Sequence, residues 1–210
     1  AIGERLGTLS CYVAKAYSEG TVRLSSAAPD AEPDVNFRWL SDMRDRVRLM
    51  EAFRIMAKIL IDGPVSELVT DPFATSYSDR ARALQPETLR NKIITKVGGA
   101  LMDLSPTIRK FLIHNVISDG PDIDLLLRSA EELEKYVRGR VVSAWHPSGS
   151  CKMGAVSDPM AVCDPTGKVI GVENLYVADA SVFPEIPVVN INVPTIMVGE
   201  RVADFIKAAT

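Results

Sequence analysis

The pattern of apolar and polar positions divides the chain into a β-prone first part, a helical middle and a mixed last third. Residues 20–24 and 34–40 carry apolar side chains at alternate positions, which is typical of strands with one side facing solvent. Residues 10–13 form a third, shorter β-prone run. These runs predict an antiparallel sheet in which residues 34–40 are a half-buried strand.

Helical periodicity follows the predicted sheet. Ser41 and Asp42 can cap a helix of about twenty residues that ends at Gly63-Pro64, and the charged residues of its start are expected to face water. Further turn and capping signals predict three more helices and a strand. The helices lie at 86–99, 105–120 and 121–137, and the strand lies at 141–145.

The last third combines a short strand, a proline-rich loop and a closing helix. Residues 175–178 are a β-prone run, and the prolines that follow them prevent regular structure up to Pro194. Beyond Pro194 the apolar residues return with a helical period. One predicted helical face carries Ile196, Gly199, Ala203 and Ile206, with Val202 beside them. Residues 190–194 are therefore expected at a helix N-terminus, where free N–H groups and the helix dipole favour negative charge.

Length, composition and net charge limit the kinds of protein that this chain can be. A chain of 210 residues with 47% hydrophobic residues can bury a substantial core. A net charge of -3 argues against nucleic acid as a partner, because binding to phosphates requires a basic surface. No apolar run is long enough to span a bilayer, and the first residues do not form a signal peptide; the prediction of a cytoplasmic protein rests on the cysteines, which are expected to be reduced.

The cysteines predict reduced thiols and no metal site. Cys11, Cys151 and Cys163 cannot all pair within the chain, and no two of them have the spacing of a Cys-x-x-Cys motif. A metal bound by Cys151, Cys163 and His146 is an alternative. Structural zinc requires four ligands at short paired spacings, which the sequence does not offer.

Four blocks in the last third are similar to the C-terminal part of a known family. The sequence reads HPSGSCKMG at 146–154, VCDP at 162–165, GVENLYVADASVFP at 171–184, and NINVPTIM at 190–197 followed by Gly199-Glu-Arg201. In this order, the blocks resemble the glucose-methanol-choline (GMC) oxidoreductases, which are FAD-dependent alcohol oxidases and dehydrogenases. The resemblance implies an alcohol or polyol as the small-molecule substrate.

The resemblance also implies which residues carry the chemistry. His146 would be the catalytic base, and imidazole titrates near neutral pH without a large perturbation. Asn190 would be the second catalytic residue and would form a hydrogen bond with the substrate oxygen. Trp145, beside the base, is expected to pack in the core, with lining of the substrate pocket as the alternative. His114 is expected to be a packed or surface residue rather than a catalyst.

Two further pairs of residues are implied to bind FAD. Asp179 and Ala180 would lie beside its ribityl and pyrophosphate region, and the backbone of Asn192 and Val193 would lie near the pyrimidine edge of the flavin. Reduction of a flavin places negative charge on that edge. The predicted helix N-terminus at Pro194 would stabilise this charge.

One part of the family pattern is not found in the sequence. Family members begin with a Gly-x-Gly-x-x-Gly motif that binds the ADP half of FAD, and this chain has no such motif. The chain is therefore expected to need a missing N-terminal FAD domain as its partner, and to be incomplete and inactive alone.

The expected fold is α+β, with an antiparallel substrate-domain sheet, packed helices, and a C-terminal strand-loop-helix that completes the absent FAD-binding domain. Residues 1–174 are predicted to form the substrate-binding domain, with a helical elaboration at 64–120. Residues 175–210 are predicted to be the C-terminal segment of the FAD-binding domain. The alternative function is a non-catalytic interaction module of the same fold.

Overall fold

The computed structural model describes residues 2–74 and 79–209. The chain forms two compact units, which we call the helical unit and the loop-rich unit. The helical unit comprises Ala1–Tyr12 and Arg46–Val141, and the loop-rich unit comprises Val13–Asp45 and Val142–Thr210.

The helical unit is built from short helices. Helix α1 (Met43–Ile61) begins in the loop-rich unit and continues into this one. The others described are α2 (Asp79–Leu84), α3 (Leu89–Leu104), α4 (Pro106–Leu112), α5 (Ile123–Arg128) and α6 (Ala130–Arg140), with a 3-10 turn at Ile2–Arg5 and a π-helical turn at Ile113–Ile117. The helices predicted after Asp42, at 86–99 and at 105–120 are confirmed with shifted ends. Residues 75–78 of the predicted helical elaboration lie outside the described residues.

Small polar side chains determine where these helices begin. Thr88 caps α3 by accepting the backbone N–H of Asn91, and Ser105 caps α4 in the same way. The single helix predicted at 121–137 is wrong, because Ser129 adopts an extended conformation between α5 and α6. The hydroxyl of Ser129 accepts the N–H of Glu132 and starts a new helix.

One core cluster of the helical unit lies where the N-terminal turn packs on α3 and the π-helical turn. Ile2, Met102, Ile113 and Ile117 form this buried cluster. Beside the cluster, the Arg5 guanidinium donates to the Asp103 carboxylate, with Nε 2.9 Å from Oδ1. The cluster and the ion pair together attach the N-terminal turn to α3.

The opposite side of α3 is apolar and exposed. Ile93, Val97 and Leu104 lie on this side, and each leaves half or more of its surface accessible. Met102, on the inner side, is 3% exposed. Helix α3 therefore carries apolar residues on both sides, although only one side is buried within its unit.

The loop-rich unit contains a two-stranded antiparallel sheet. Strands β1 (Thr21–Arg23) and β2 (Asp34–Asn36) pair with Val22 opposite Val35. The β2 strand is shorter than the predicted run, because the Asn36 side chain accepts the N–H of Arg38, whose φ is +47°. All six strand residues are exposed, so the prediction of half burial is wrong, and residues 10–13 form no strand.

Asp45 holds the start of α1 to the preceding turn. Its carboxylate accepts the backbone N–H groups of Tyr17 and Ser18 and the hydroxyl of Ser18, at 2.7–3.0 Å. The residue is 2% exposed, which contradicts the prediction that it faces water. A buried carboxylate is stabilised by several donors in this way.

The C-terminal part of the loop-rich unit packs around its own core. Cys163, Val182, Phe183, Ile191, Val198 and Val202 form this cluster. Helix α7 (Asn192–Ala209) supplies Val198 and Val202, which are one turn apart. Of the predicted apolar face, Ile196 and Ile206 are exposed, whereas Gly199 and Ala203 are half-buried. The buried side of this helix therefore lies beside the predicted face.

The two strands predicted in this part do not form. Residues 141–145 have no strand structure, and residues 175–178 contain one isolated bridge, in which Tyr176 pairs with Lys168. The α+β class is confirmed by the small sheet and the many helices. The units do not follow the predicted boundary between 174 and 175, and the partition into substrate and FAD domains stays a prediction.

Candidate active site

The His146 side chain is exposed, and one of its ring nitrogens is engaged. Its Nδ1 atom lies 3.2 Å from the backbone carbonyl oxygen of Trp145. Because a carbonyl oxygen can only accept a hydrogen bond, this contact is a hydrogen bond in the tautomer that carries the proton on Nδ1. The neutral ring then presents Nε2 as a free acceptor.

The residue before His146 has an unusual backbone conformation. Trp145 has a φ of +61°, a left-handed conformation that bulky residues rarely adopt. Its N–H donates to the Ser143 hydroxyl at 2.9 Å, and its ring is 87% exposed. The expectation that Trp145 packs in the core is therefore wrong.

The loop that follows His146 is fixed by backbone hydrogen bonds. The N–H groups of Gly149, Cys151 and Met153 donate to the carbonyls of residues 180, 181 and 182, at 2.8–3.1 Å. Gly149 has a φ of +78°, and a Cβ atom there would lie 3.3 Å from the Phe183 carbonyl oxygen. Glycine at this position therefore permits both the turn and the close approach.

Asp179 and Ala180 lie at the start of the segment whose backbone carbonyls accept these hydrogen bonds. Asp179 Oδ1 accepts the N–H of Ser181 at 2.8 Å and also its hydroxyl, and so caps the 3-10 turn Ala180–Val182. The Ala180 carbonyl accepts the N–H of Gly149. The second carboxylate oxygen of Asp179 makes no hydrogen bond with the residues described and remains available as an acceptor.

Asn190 caps the helix that closes the chain. Its Oδ1 atom accepts the N–H of Asn192, the first residue of α7, at 3.1 Å. This contact assigns the side-chain oxygen to the helix and leaves the Asn190 amide nitrogen exposed. Within residues 2–74 and 79–209, that nitrogen donates to no other group.

The first turn of α7 leaves one backbone donor free. The Val193 N–H has no acceptor among the described residues, Pro194 has no N–H, and the Thr195 N–H donates to the Ile191 carbonyl at 2.9 Å. Val193 is largely exposed. The helix dipole adds positive potential at the same point.

The predicted site residues fall into two groups around one core cluster. His146 belongs to the loop docked on Asp179 and Ala180, while Asn190, Asn192 and Val193 form the start of α7. Phe183 and Ile191, in the same cluster, anchor the segments that carry both groups. No hydrogen bond joins His146 to Asn190 in the part of the chain that the structure describes, so their cooperation stays a prediction.

Sequence reasoning missed two polar groups in the loop-rich unit. The Ser148 hydroxyl is buried without a hydrogen-bond partner among the described residues. Ser143 supports the Trp145 turn. It lies outside the motif at 146–154, so the sequence gives no signal of this role. The positive φ of Trp145 is likewise invisible in the sequence, since tryptophan rarely adopts it.

The cysteine thiols are free, and Cys163 is fully buried in the core cluster. Burial raises the pKa of the Cys163 thiol, so it resists ionisation.

In residues 2–74 and 79–209 no three His, Cys, Asp or Glu side chains are grouped so that they could hold a metal ion. In the same ranges no helix is both long and apolar enough to cross a bilayer.

Comparison with protein families identifies the family of this chain. The sequence profile of the GMC oxidoreductases matches residues 16–199, which include both groups of predicted site residues. The chain belongs to the GMC oxidoreductase family. The family resemblance inferred from the four sequence blocks is thereby confirmed.

The GMC chain is similar to bacterial oxidoreductases. It is 32% identical over 193 residues to the oxygen-dependent choline dehydrogenase 1 of Chromohalobacter salexigens, covering 92% of this chain and 26% of that protein. It is 34% identical over 195 residues to the 5-(hydroxymethyl)furfural oxidase of Methylovorus sp. strain MP688, covering 93% and 30%. The chain thus spans roughly a quarter to a third of the length of these relatives.

A solved structure has a similar fold. The formate oxidase of Aspergillus oryzae RIB40 superimposes with a TM-score of 0.61 and 25% sequence identity. The match covers 91% of this chain and 25% of the oxidase. Almost the whole GMC chain therefore corresponds to about a quarter of a longer protein.

The GMC family uses FAD, and the groups left unpaired in this chain fit such a cofactor. The free N–H of Val193 at a helix start suits the pyrimidine edge of a flavin, which becomes negative on reduction. The free carboxylate oxygen of Asp179 suits the hydroxyl groups of a ribityl chain. These are the donor and acceptor types that the predicted assignments require.

Proposed function

We propose that this chain is the substrate-binding and catalytic-base portion of a GMC flavoprotein that oxidises the CH–OH group of an alcohol or polyol. The proposal rests mainly on the His146 contact, in which Nδ1 is held by a backbone carbonyl and Nε2 is left exposed as a proton acceptor. Choline and hydroxymethylfurfural, the alcohols in the relatives' names, support this substrate class.

Oxidation of an alcohol to a carbonyl removes a proton from oxygen and a hydride from carbon. FAD, when bound, accepts the hydride, which no side chain can accept. The proton goes to His146 Nε2. The resulting imidazolium keeps its Nδ1–H on the Trp145 carbonyl, which stabilises the positive charge.

Asn190 has the complementary role. Its oxygen is committed to the N–H of Asn192, so its amide N–H groups are directed to a group outside the helix. In the proposal, they donate to the substrate oxygen and hold the hydroxyl near His146. An amide cannot relay a proton, and proton transfer therefore depends on His146 alone.

The start of α7 and the turn at Asp179 bind the cofactor in this proposal. When FAD is bound, Val193 would donate its free N–H to the pyrimidine edge, next to Asn192, and Asp179 and Ala180 would hold the ribityl and pyrophosphate region. Since this chain has no Gly-x-Gly-x-x-Gly motif, an N-terminal FAD domain is required as its partner. The chain alone is expected to bind FAD weakly and to be inactive.

Flavin spectroscopy tests the proposal. The chain is expressed alone and as part of a longer polypeptide that includes an FAD-binding domain, and each protein is mixed anaerobically with an alcohol. We expect flavin absorbance and its bleaching by alcohol in the longer protein only. A longer protein that binds FAD but is never reduced by any alcohol would instead support a non-catalytic interaction module.

A further inference from the structure

Ser143 makes a contact that the proposed reaction does not use. Its Oγ atom accepts the backbone N–H of Trp145, two residues further along the chain, at 2.9 Å. Ser143 is half-buried, and the hydrogen bond itself lies in an exposed part of the loop. Such a serine hydrogen bond to the backbone two residues on stabilises a tight turn.

The turn requires support because Trp145 is in a conformation that is unfavourable for its residue type. A left-handed φ of +61° is an outlier for a bulky side chain and persists only when surrounding contacts hold it. The Trp145 ring is 87% exposed, so packing of the ring does not provide this support. The hydrogen bond from the Trp145 N–H to the Ser143 hydroxyl provides this support.

This turn also determines where the Trp145 carbonyl points. The carbonyl oxygen lies 3.2 Å from His146 Nδ1, where it can accept a hydrogen bond only from the tautomer that carries its proton on Nδ1. We propose that Ser143 is a positioning residue: through the Trp145 turn, its hydroxyl keeps the proton of His146 on Nδ1 and leaves Nε2 free. The inference deepens the proposed function, on which its catalytic consequence rests.

The tautomer can be measured in this chain without a cofactor. Long-range proton–nitrogen NMR spectra, recorded at a pH where the ring is neutral, distinguish a proton on Nδ1 from one on Nε2. The chain has two histidines, so a His114→Gln variant assigns the signals of His146. We expect Ser143→Ala to lower the ratio of the Nδ1–H to the Nε2–H form about two- to tenfold, the effect of one lost hydrogen bond.

Two further variants serve as controls for the hydroxyl. Ser143→Thr keeps the acceptor and should keep the wild-type ratio, and Ser157→Ala removes an exposed hydroxyl of the same unit and should change nothing. An unchanged ratio in Ser143→Ala would overturn the inference. A Ser143→Thr variant that behaves like Ser143→Ala would overturn it as well, because the hydroxyl would then not be the cause.

The catalytic consequence is measured separately in the holoenzyme of the longer protein. Ser143→Ala should slow alcohol-dependent flavin reduction by the factor by which the fraction of His146 in the Nδ1–H form falls, which is smaller than the two- to tenfold change in the ratio, while Ser143→Thr should not. If the tautomer ratio changes but the reduction rate does not, Ser143 still positions the ring and the proposed role of His146 as base fails. A failure of the inference about Ser143 is therefore distinguishable from a failure of the proposed role of His146 as base.

Discussion

Single polar side chains determine the local geometry of the candidate site. Asn190 caps α7, Asp179 caps the 3-10 turn, and Ser143 supports the turn before His146. Each uses one oxygen atom to accept a backbone N–H that would otherwise be unpaired. The atoms left over, such as the Asn190 amide nitrogen, are those that a ligand can contact.

Asn190 allows its two roles to be separated. Asn190→Asp keeps an oxygen for the Asn192 N–H but loses the amide donor, whereas Asn190→Ala loses both. In urea unfolding of the chain, Asn190→Ala should cost about 0.5–2 kcal/mol and Asn190→Asp little. In the longer flavoprotein, both variants should slow reduction by alcohol. A fully active Asn190→Asp protein would show that the amide donor is not used.

Asp45 is predicted to be important for stability rather than for catalysis. Asp45→Ala removes the acceptor of three donors at a buried position and should lower the free energy of unfolding by about 2–4 kcal/mol. Asp30→Ala, at an exposed position, should leave it nearly unchanged. Equal unfolding midpoints for these two variants in urea would contradict the role of the buried carboxylate.

At the scale of elements, capping signals predicted helices better than alternation predicted strands. Ser41-Asp42 and the serine and threonine caps correspond to real helix starts, because the cap and the helix are neighbours in sequence. The strands predicted at 141–145 and 175–178 do not form, since a β-prone run becomes a strand only when another segment pairs with it.

Burial was harder to predict than helix position. The start of helix α7 was located to within two residues, but its buried side is centred on Val198 and Val202, beside the predicted face that carries Ile196 and Ile206. Apolar residues occur on more than one side of this helix, so periodicity alone did not select the side. Helix α3 shows the same ambiguity.

The two sides of α3 should respond differently to truncation. Met102→Ala removes a side chain that is 3% exposed and should cost about 2–5 kcal/mol, through lost burial and a cavity. Val97→Ala, on the exposed side, should change the free energy of unfolding by about 0.5 kcal/mol or less. Urea unfolding of the two variants measures both. Comparable losses would mean that the outer side of α3 is also buried.

At the scale of the whole molecule, the last third made the family recognisable from sequence. The four blocks between His146 and Arg201 predicted the GMC family, which the match over residues 16–199 confirmed. The identity of the site residues came from the same blocks. The conformation of Trp145 and the hydrogen bonds of Ser143 could not be predicted, because they depend on backbone angles that no residue type in the motif indicates.

The rate of anaerobic flavin reduction by alcohol tests the central claim most directly. In the longer flavoprotein, His146→Gln removes the proton acceptor and should slow reduction about 10²–10⁴-fold. His114→Gln, which changes the other histidine at an exposed position in the helical unit, should reduce at the wild-type rate. Equal rates for wild type and His146→Gln would contradict the assignment of His146 as the base.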